Sequence, residues 1–297
     1  SCGGKHSLYN ACQVLFQTGD EVIIFSPYWV SFPDFVSVTG AKPIFVKTDS
    51  SHQFEPIIED LKLKITSRTK GIIINSPSNP TGGVWSDEAV LKVLKLAEKA
   101  NAWVFSDECY EQLTYDKPYI STAKLGENTE KVLTFQSCSK TYAMTGWRIG
   151  YTAGNKQVIK AMGKLQGQST SCPSSIAQVA AIEALTGNQS EVSRMRNVFK
   201  DRRKYIVDRL NNMSGVNCDT PGGAFYVFPD FSSYMGIDNK IKSSDDLSMY
   251  LLEQKAVVTV AGKAFGSDSN VRFSYAASED DLKRAMDLVE ESLTELK

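Results

Sequence analysis

The chain has 297 residues, 42% of them hydrophobic and 23% charged, the balance of a globular protein with apolar material for one large or two ordinary domains. A net charge of −1 gives no electrostatic case for nucleic acid or an anionic membrane surface, and the longest apolar runs, such as 71–74 and 257–261, are far too short to span a bilayer. Six scattered cysteines with no C-x-x-C pair, and only two histidines, argue against a zinc ribbon, a thioredoxin-like motif and Ser-His-Asp catalysis, and point to a reducing, cytoplasmic setting.

The sequence opens Ser1-Cys2-Gly3-Gly4-Lys5, without an initiator Met and directly on a glycine-rich turn, so further residues are expected ahead of it in the parent protein. A helix is expected from this turn through Phe16, with glycine amides at its N-terminus free to bind an anion. His6 reads as a partly exposed helix residue. His52, among Asp49, Ser50, Ser51 and Gln53, reads as loop surface. A strand at 22–25 stops at Ser26-Pro27, just ahead of Tyr28 and Trp29, and a second runs over 43–46. Residues 71–75 (Gly-Ile-Ile-Ile-Asn) form a near-continuous apolar run, as expected of a strand buried on both faces. The pattern over 86–100 predicts a helix: Ser86 caps it, Asp87 and Glu88 suit its positive end, and Val90, Leu91, Leu94 and Ala97 make an apolar stripe. Strands at 103–105, 132–135 and 149–153 continue the series. Strand-helix alternation of this kind predicts an α/β fold with a mainly parallel sheet covered by helices.

The pattern changes near Gly187. A long basic helix is expected over 191–211, with Val198, Tyr205, Ile206 and Leu210 turned inward. The turn Thr220-Pro221-Gly222-Gly223 precedes a strand at 224–228, with further strands at 257–260 and 271–275. Ser278-Glu279-Asp280-Asp281 reads as a capping box that opens a last helix, with Leu282, Ala285, Met286, Val289 and Leu293 on one face. The expected division is a large domain over 1–187 and a smaller α+β domain over 188–297.

Four segments carry chemistry. In Ser137-Cys138-Ser139-Lys140, followed by Thr145-Gly146-Trp147-Arg148, two hydroxyls and a forked cation can hold a phosphate, and a lysine stands close by. Taken alone, Lys140 is most simply a solvated surface charge; beside cations and partly desolvated, it becomes a usable amine nucleophile. In Ser106-Asp107-Glu108-Cys109-Tyr110, at the carboxyl end of a strand, Asp107 can pair with a cationic ring nitrogen or simply cap a helix, and Tyr110 can bond a phenolic oxygen. In Asn75-Ser76-Pro77-Ser78-Asn79-Pro80-Thr81-Gly82-Gly83, Asn79 can reach both a phenolic oxygen and a carboxylate, or the segment can be a plain turn. Gly3-Gly4-Lys5 can bind phosphate through backbone amides. Trp29 can stack on a flat ring or pack in the core.

Together these segments, with Asn270-Val271-Arg272-Phe273-Ser274-Tyr275, resemble the fold-type I pyridoxal-phosphate enzymes of the class I aminotransferase family, most closely its bacterial aspartate and prephenate branch. The likeness runs in order over essentially the whole chain. It implies Lys140 as the Schiff-base lysine and proton carrier, Asp107 against the pyridinium, Tyr110 and Asn79 at the phenolic oxygen, and Trp29 on the ring. It further implies Gly4, Lys5, Ser137, Ser139 and Arg148 around the phosphate, and Arg272 on the substrate α-carboxylate. Lys5 is linked in that branch to an acidic substrate side chain. The likeness therefore implies amino transfer between aspartate and 2-oxoglutarate in a homodimer. Prephenate, aromatic or diaminopimelate-type transamination and C-S lyase chemistry are the enzymatic rivals. A non-enzymatic cofactor-sensing regulator is the rival outside enzymes. An N-terminal stretch of the family pattern precedes the Gly-Gly-Lys segment and is not present in this sequence.

Overall fold

The computed structural model describes residues 1–237 and 241–296. Helix α1 (Gly4–Leu15) leads into β1 (Glu21–Ser26), α2 (Ser31–Ser37), β2 (Lys42–Lys47), α3 (Ile58–Lys64) and β3 (Thr69–Asn75). Next come α4 (Asp87–Lys99), β4 (Trp103–Asp107), α5 (Thr122–Leu125), β5 (Val132–Ser137), α6 (Cys138–Thr141) and β6 (Gly150–Ala153). Helices α7 (Lys156–Ser169), α8 (Ser175–Thr186) and α9 (Ser190–Asn211) follow, then β7 (Tyr226–Val227), α10 (Ser244–Lys255), β8 (Val260–Ala261), β9 (Val271–Ser274) and α11 (Glu279–Glu295).

The first six strands form one sheet in the order β2-β1-β3-β4-β5-β6, parallel except for the antiparallel edge pair β5–β6. Successive residues feed opposite faces. Val22, Ile24, Ile73, Phe105 and Leu133 pack with Leu8 and Ala11 of α1, with Phe16 just after it, and with Val158 and Met162 of α7. Ile23, Phe25, Ile72, Ile74 and Val104 pack on the other side with Leu61 of α3 and Val90, Val93, Leu94 and Ala97 of α4. A strand with helices on both faces has no polar side to show, which is why β3 reads as an unbroken apolar run. Each fully buried Ile, Leu or Phe contributes about 1.5–3 kcal/mol.

The helix ends follow the chemistry expected of them. Ser86 accepts a hydrogen bond from the Ala89 N–H at 3.2 Å, and Ser278 accepts from the Asp281 N–H at 3.1 Å. The Ser278 hydroxyl also donates to Asp281 at 2.7 Å, so the second arm of the expected capping box runs side chain to side chain. On α4 the buried stripe includes Val93, while Leu91 is only half-buried. On α9 Phe199, Arg203, Ile206, Val207 and Leu210 are buried, and the expected Val198 and Tyr205 are half-buried at the margin. The strands expected at 224–228 and 257–260 shrink to two residues each, because β7, β9 and β8 form a small antiparallel sheet with short ladders. Its core joins α9, α10 and α11 to Tyr110, Leu113 and Tyr115, which follow β4.

Two chain reversals meet at Gly82. Its φ is +68°, and a Cβ there would lie 2.4 Å from the Pro221 Cβ and 2.8 Å from the Gly223 carbonyl oxygen. The Gly223 N–H donates to the Gly82 carbonyl at 2.8 Å, locking the 75–83 loop onto the turn ahead of β7. Gly82→Ala is expected to cost about 2 kcal/mol or more, through the left-handed φ and the clash together. A lowered urea midpoint with an unchanged m-value checks this; an unshifted midpoint contradicts it.

Candidate active site

Four strand ends open on the same side of the sheet. Asn75 ends β3, Asp107 ends β4 and Ser137 ends β5, while Trp29 follows β1. A cavity of about 330 Å³ lies against them, as expected at the carboxyl ends of a parallel sheet. Gly4, Lys5, Trp29, Asn79, Asp107, Tyr110, Ser137, Ser139, Lys140, Arg148 and Arg272, all named from the sequence, line it. So do Leu8, Asn75, Cys109, Thr145 and Tyr226, which sequence reasoning did not assign.

One end of the cavity gathers groups that can bind an anion. The antiparallel register places Ser137 opposite Gly150, which carries Arg148 to the start of α1. Gly3, with φ +90°, is the residue before that helix, and a Cβ on it would sit 2.4 Å from a guanidinium nitrogen of Arg148. Arg148 is itself left-handed (φ 55°) and donates to the Thr145 carbonyl at 2.8 Å, which aims the fork. Ser137 accepts from the Ser139 N–H at 3.1 Å, and the two hydroxyls are 2.8 Å apart. Helix amides, two hydroxyls and a guanidinium together are the kinds of donor that bind phosphate.

The middle of the cavity is cationic on one wall and anionic on the floor. Lys140, half-buried on α6, has its amine 5.4 Å from the Phe225 ring centre and 5.9 Å from that of Tyr110. Burial lowers its proton affinity; Cys109 opposes that shift, and the positive charges of Arg272 and Arg148 add to it. Asp107 is 5% exposed, and burial raises its carboxyl to about 6, although the Cys109 N–H donates to it at 3.3 Å. Among the described residues no cation lies at ion-pair distance from Asp107. A buried carboxylate without a cation is costly unless a ligand supplies one.

The far wall holds the complementary charge. Arg272 donates to Asn79 Oδ1 at 2.7 Å, and its guanidinium lies 4.5 Å from the Tyr226 ring centre and 5.0 Å from that of Phe265. It pairs with no carboxylate among the described residues, and burial lowers its pKa. Asn79 is held by its own N–H, which donates to Asn75 Oδ1 at 2.9 Å, and Asn75 in turn donates to the Asp107 carbonyl at 3.3 Å. Trp29 meets Phe32 edge-on at 5.3 Å, and the exposed Lys5 amine lies 4.8 Å from its ring centre. The histidines stand apart: His6 accepts from the Cys2 N–H, and His52 lies in the exposed Asp49 turn. Among the described residues no cluster of His, Cys, Asp and Glu fits a metal ion.

An anion cradle, an amine of lowered proton affinity and a buried carboxylate awaiting a cation fit a flat phosphate-bearing aldehyde with a basic ring nitrogen. That set, on a mainly parallel sheet, defines the class of fold-type I transaminases. The chain belongs to the aminotransferase class I and II family, whose family model matches residues 1–289. It is 43% identical over 290 residues to the aspartate/prephenate aminotransferase of Cereibacter sphaeroides, covering 95% of this chain and 72% of that protein. The crystal structure of the Rhizobium meliloti aspartate aminotransferase superposes with a TM-score of 0.94 at 39% identity, over 99% of this chain and 75% of that one. The Thermus thermophilus aspartate aminotransferase with maleate gives a TM-score of 0.92 at 37% identity, over 98% and 75%.

Proposed function

We propose that this aminotransferase uses pyridoxal phosphate to move the amino group of an acidic amino acid to a 2-oxo acid, with aspartate and 2-oxoglutarate giving oxaloacetate and glutamate. The observation that carries the proposal is the placement of Lys140, Asp107 and Arg272 around one cavity, the latter two without an ion-pair partner among the described residues. Bound there, the cofactor supplies an aldehyde that exchanges for the amino group and a ring that takes up the electron pair left when the substrate Cα–H bond breaks. Gly4, Ser137, Ser139 and Arg148 would hold its phosphate. Asp107 would face its ring nitrogen and keep that nitrogen cationic. Trp29 would lie along its ring, and Tyr110 and Asn79 would bond its phenolic oxygen.

The chain's own residues then do the rest. Lys140 carries the proton away from the substrate Cα, which requires the neutral amine that burial favours. Arg272 clamps the α-carboxylate in a two-pronged pair and so fixes which substituent of Cα faces Lys140. Tyr110 and Tyr226, both buried, keep water from that face. Lys5, exposed at the mouth beside Trp29, supplies a cation for a second carboxylate. Aspartate in the names of the relatives, and maleate, a dicarboxylate, with one of the solved structures, support an acidic substrate. The name of the Cereibacter relative also favours prephenate as an alternative acceptor.

In protein loaded with pyridoxal phosphate, aspartate is expected to bleach the visible absorbance band and 2-oxoglutarate to restore it. Arg272→Ala should keep the band and lose about 100-fold in kcat/KM for aspartate, the cost of stranding a buried carboxylate. A band bleached by aromatic amino acids but indifferent to aspartate would sink the acidic-substrate assignment.

The homodimer is likewise proposed. Helix α8 is apolar around most of its circumference, yet Ile176, Val179 and Ile182 are 74%, 67% and 61% exposed. Such a helix is normally buried, and a second copy would cover it; sedimentation as a monomer would overturn this. The division into 1–187 and 188–297 is supported by the two separate sheets. A cytoplasmic location is supported by the free thiols of Cys2, Cys12, Cys109, Cys138, Cys172 and Cys218.

A further inference from the structure

Tyr226 lies outside the motif segments named from the sequence, yet it joins the two halves of the cavity. Its hydroxyl is 3.0 Å from that of Tyr110, and both side chains are buried, at 5% and 3% exposure. Its ring faces the Arg272 guanidinium at 4.5 Å. The backbone around it is braced: the Ala224 N–H donates to the Leu113 carbonyl at 2.9 Å, and the hydroxyls of Tyr115 and Tyr275 both donate to the Ala224 carbonyl. Pairing of Tyr226 with Ser274 in the β7–β9 ladder sets it two residues from Arg272 on the partner strand.

Each phenol of the Tyr110–Tyr226 pair has one proton, so one donates and the other accepts. The surrounding charges decide which. Tyr226 faces the positive Arg272, with Cys109 as the other titratable neighbour. Tyr110 faces Cys109 and Asp107, its ring centre lies 5.9 Å from the Lys140 amine, and Arg272 acts on it less than on Tyr226. The nearer, permanent cation favours negative charge on the Tyr226 oxygen and makes Tyr226 the stronger acid. It therefore donates, Tyr110 accepts, and the proton of Tyr110 is left free to point into the cavity.

We propose that Tyr226 is a positioning residue with two separable duties: its hydroxyl turns the Tyr110 proton toward the cofactor's phenolic oxygen, and its ring holds Arg272 where a substrate carboxylate docks. This rests on the function proposed above. Tyr226→Phe removes only the first duty, and Tyr226→Leu removes both, with Tyr226→Met as a second ring-free variant should the leucine protein fail to fold.

The readouts are the pH midpoint of the visible band in protein loaded with pyridoxal phosphate and the KM for aspartate. Without its donor, Tyr110 is a weaker donor in turn, and the phenolic oxygen it faces becomes more basic. Tyr226→Phe is therefore expected to raise the midpoint by about half a pH unit, the size of one neutral hydrogen bond, with KM unchanged. The ring-free variants should show the same shift plus about a tenfold rise in KM. An unmoved midpoint in Tyr226→Phe overturns the first duty, and a KM rise as large in Tyr226→Phe as in Tyr226→Leu overturns the second. Wild-type protein that develops no band with pyridoxal phosphate would instead count against the functional assignment itself.

Discussion

Lys140→Ala is expected to lower transamination by roughly 10⁴-fold or more while leaving the protein folded and able to hold pyridoxal phosphate without a covalent link. The loss is large because two duties fall on one proposed amine. As nucleophile it joins the aldehyde, and as base it moves the substrate proton, a step worth up to about 10⁴ by itself. Both require the uncharged form, and each unit by which burial lowers the ammonium pKa raises the neutral fraction about tenfold at a fixed lower pH. The fold should tolerate the change, because the Lys140 amine makes no hydrogen bond or ion pair among the described residues. It only faces the Phe225 and Tyr110 rings at 5.4 and 5.9 Å. Cofactor should still bind through Arg148, the serines and the α1 amides, which a fluorescence titration can follow. Borohydride reduction and peptide mass spectrometry should find the trapped cofactor on Lys140 in the wild type and on no residue in the variant. An adduct on a different lysine, or a variant that keeps more than about one part in a hundred of the activity, would refute the assignment.

The sequence made the parallel sheet and the gathering of the candidate residues at its strand ends legible because each signal is local. Lys140, Ser137, Ser139 and Arg148 lie within one stretch, and Asp107 and Tyr110 lie within another, so spacing alone ties them to a strand end. Tyr226 carries no such signal. Its partners are 116 residues away in Tyr110 and 46 residues away in Arg272, and only the small antiparallel sheet brings them together. Asn75 opens one of the motif segments but has no role legible there, whereas its amide spans Asn79 and Asp107. The small sheet's strands are shorter than their sequence suggests because β-branched runs such as 257–260 look alike whether they pair over four residues or over two. Helix α8 gave no periodic stripe to read, since its apolar residues surround the axis.

Asp107→Asn is expected to move stability and activity in opposite directions. In cofactor-free protein the buried Asp107 carboxyl is raised from 3.8 to about 6, chiefly by burial. A raised acid binds more protons folded than unfolded across that window. Its stabilising contribution is therefore full below 3.8 and lost as the pH climbs through about 6. The asparagine variant has no such dependence. Above pH 7 it should be more stable than the wild type, by at most on the order of 3 kcal/mol, or a few degrees in Tm, and the gap should close on acidification. Loading with pyridoxal phosphate should reverse the order, because the cationic ring nitrogen supplies a partner for the carboxylate. Activity should fall roughly 10³-fold, since a neutral amide does not hold that nitrogen protonated when the substrate Cα proton leaves. Thermal melts of both proteins at pH 5 and pH 8, with and without cofactor, separate these contributions. If the wild type and variant melt alike at pH 8 without cofactor, the carboxylate is not strained by its burial. If they also melt alike when loaded, Asp107 does not face the ring nitrogen.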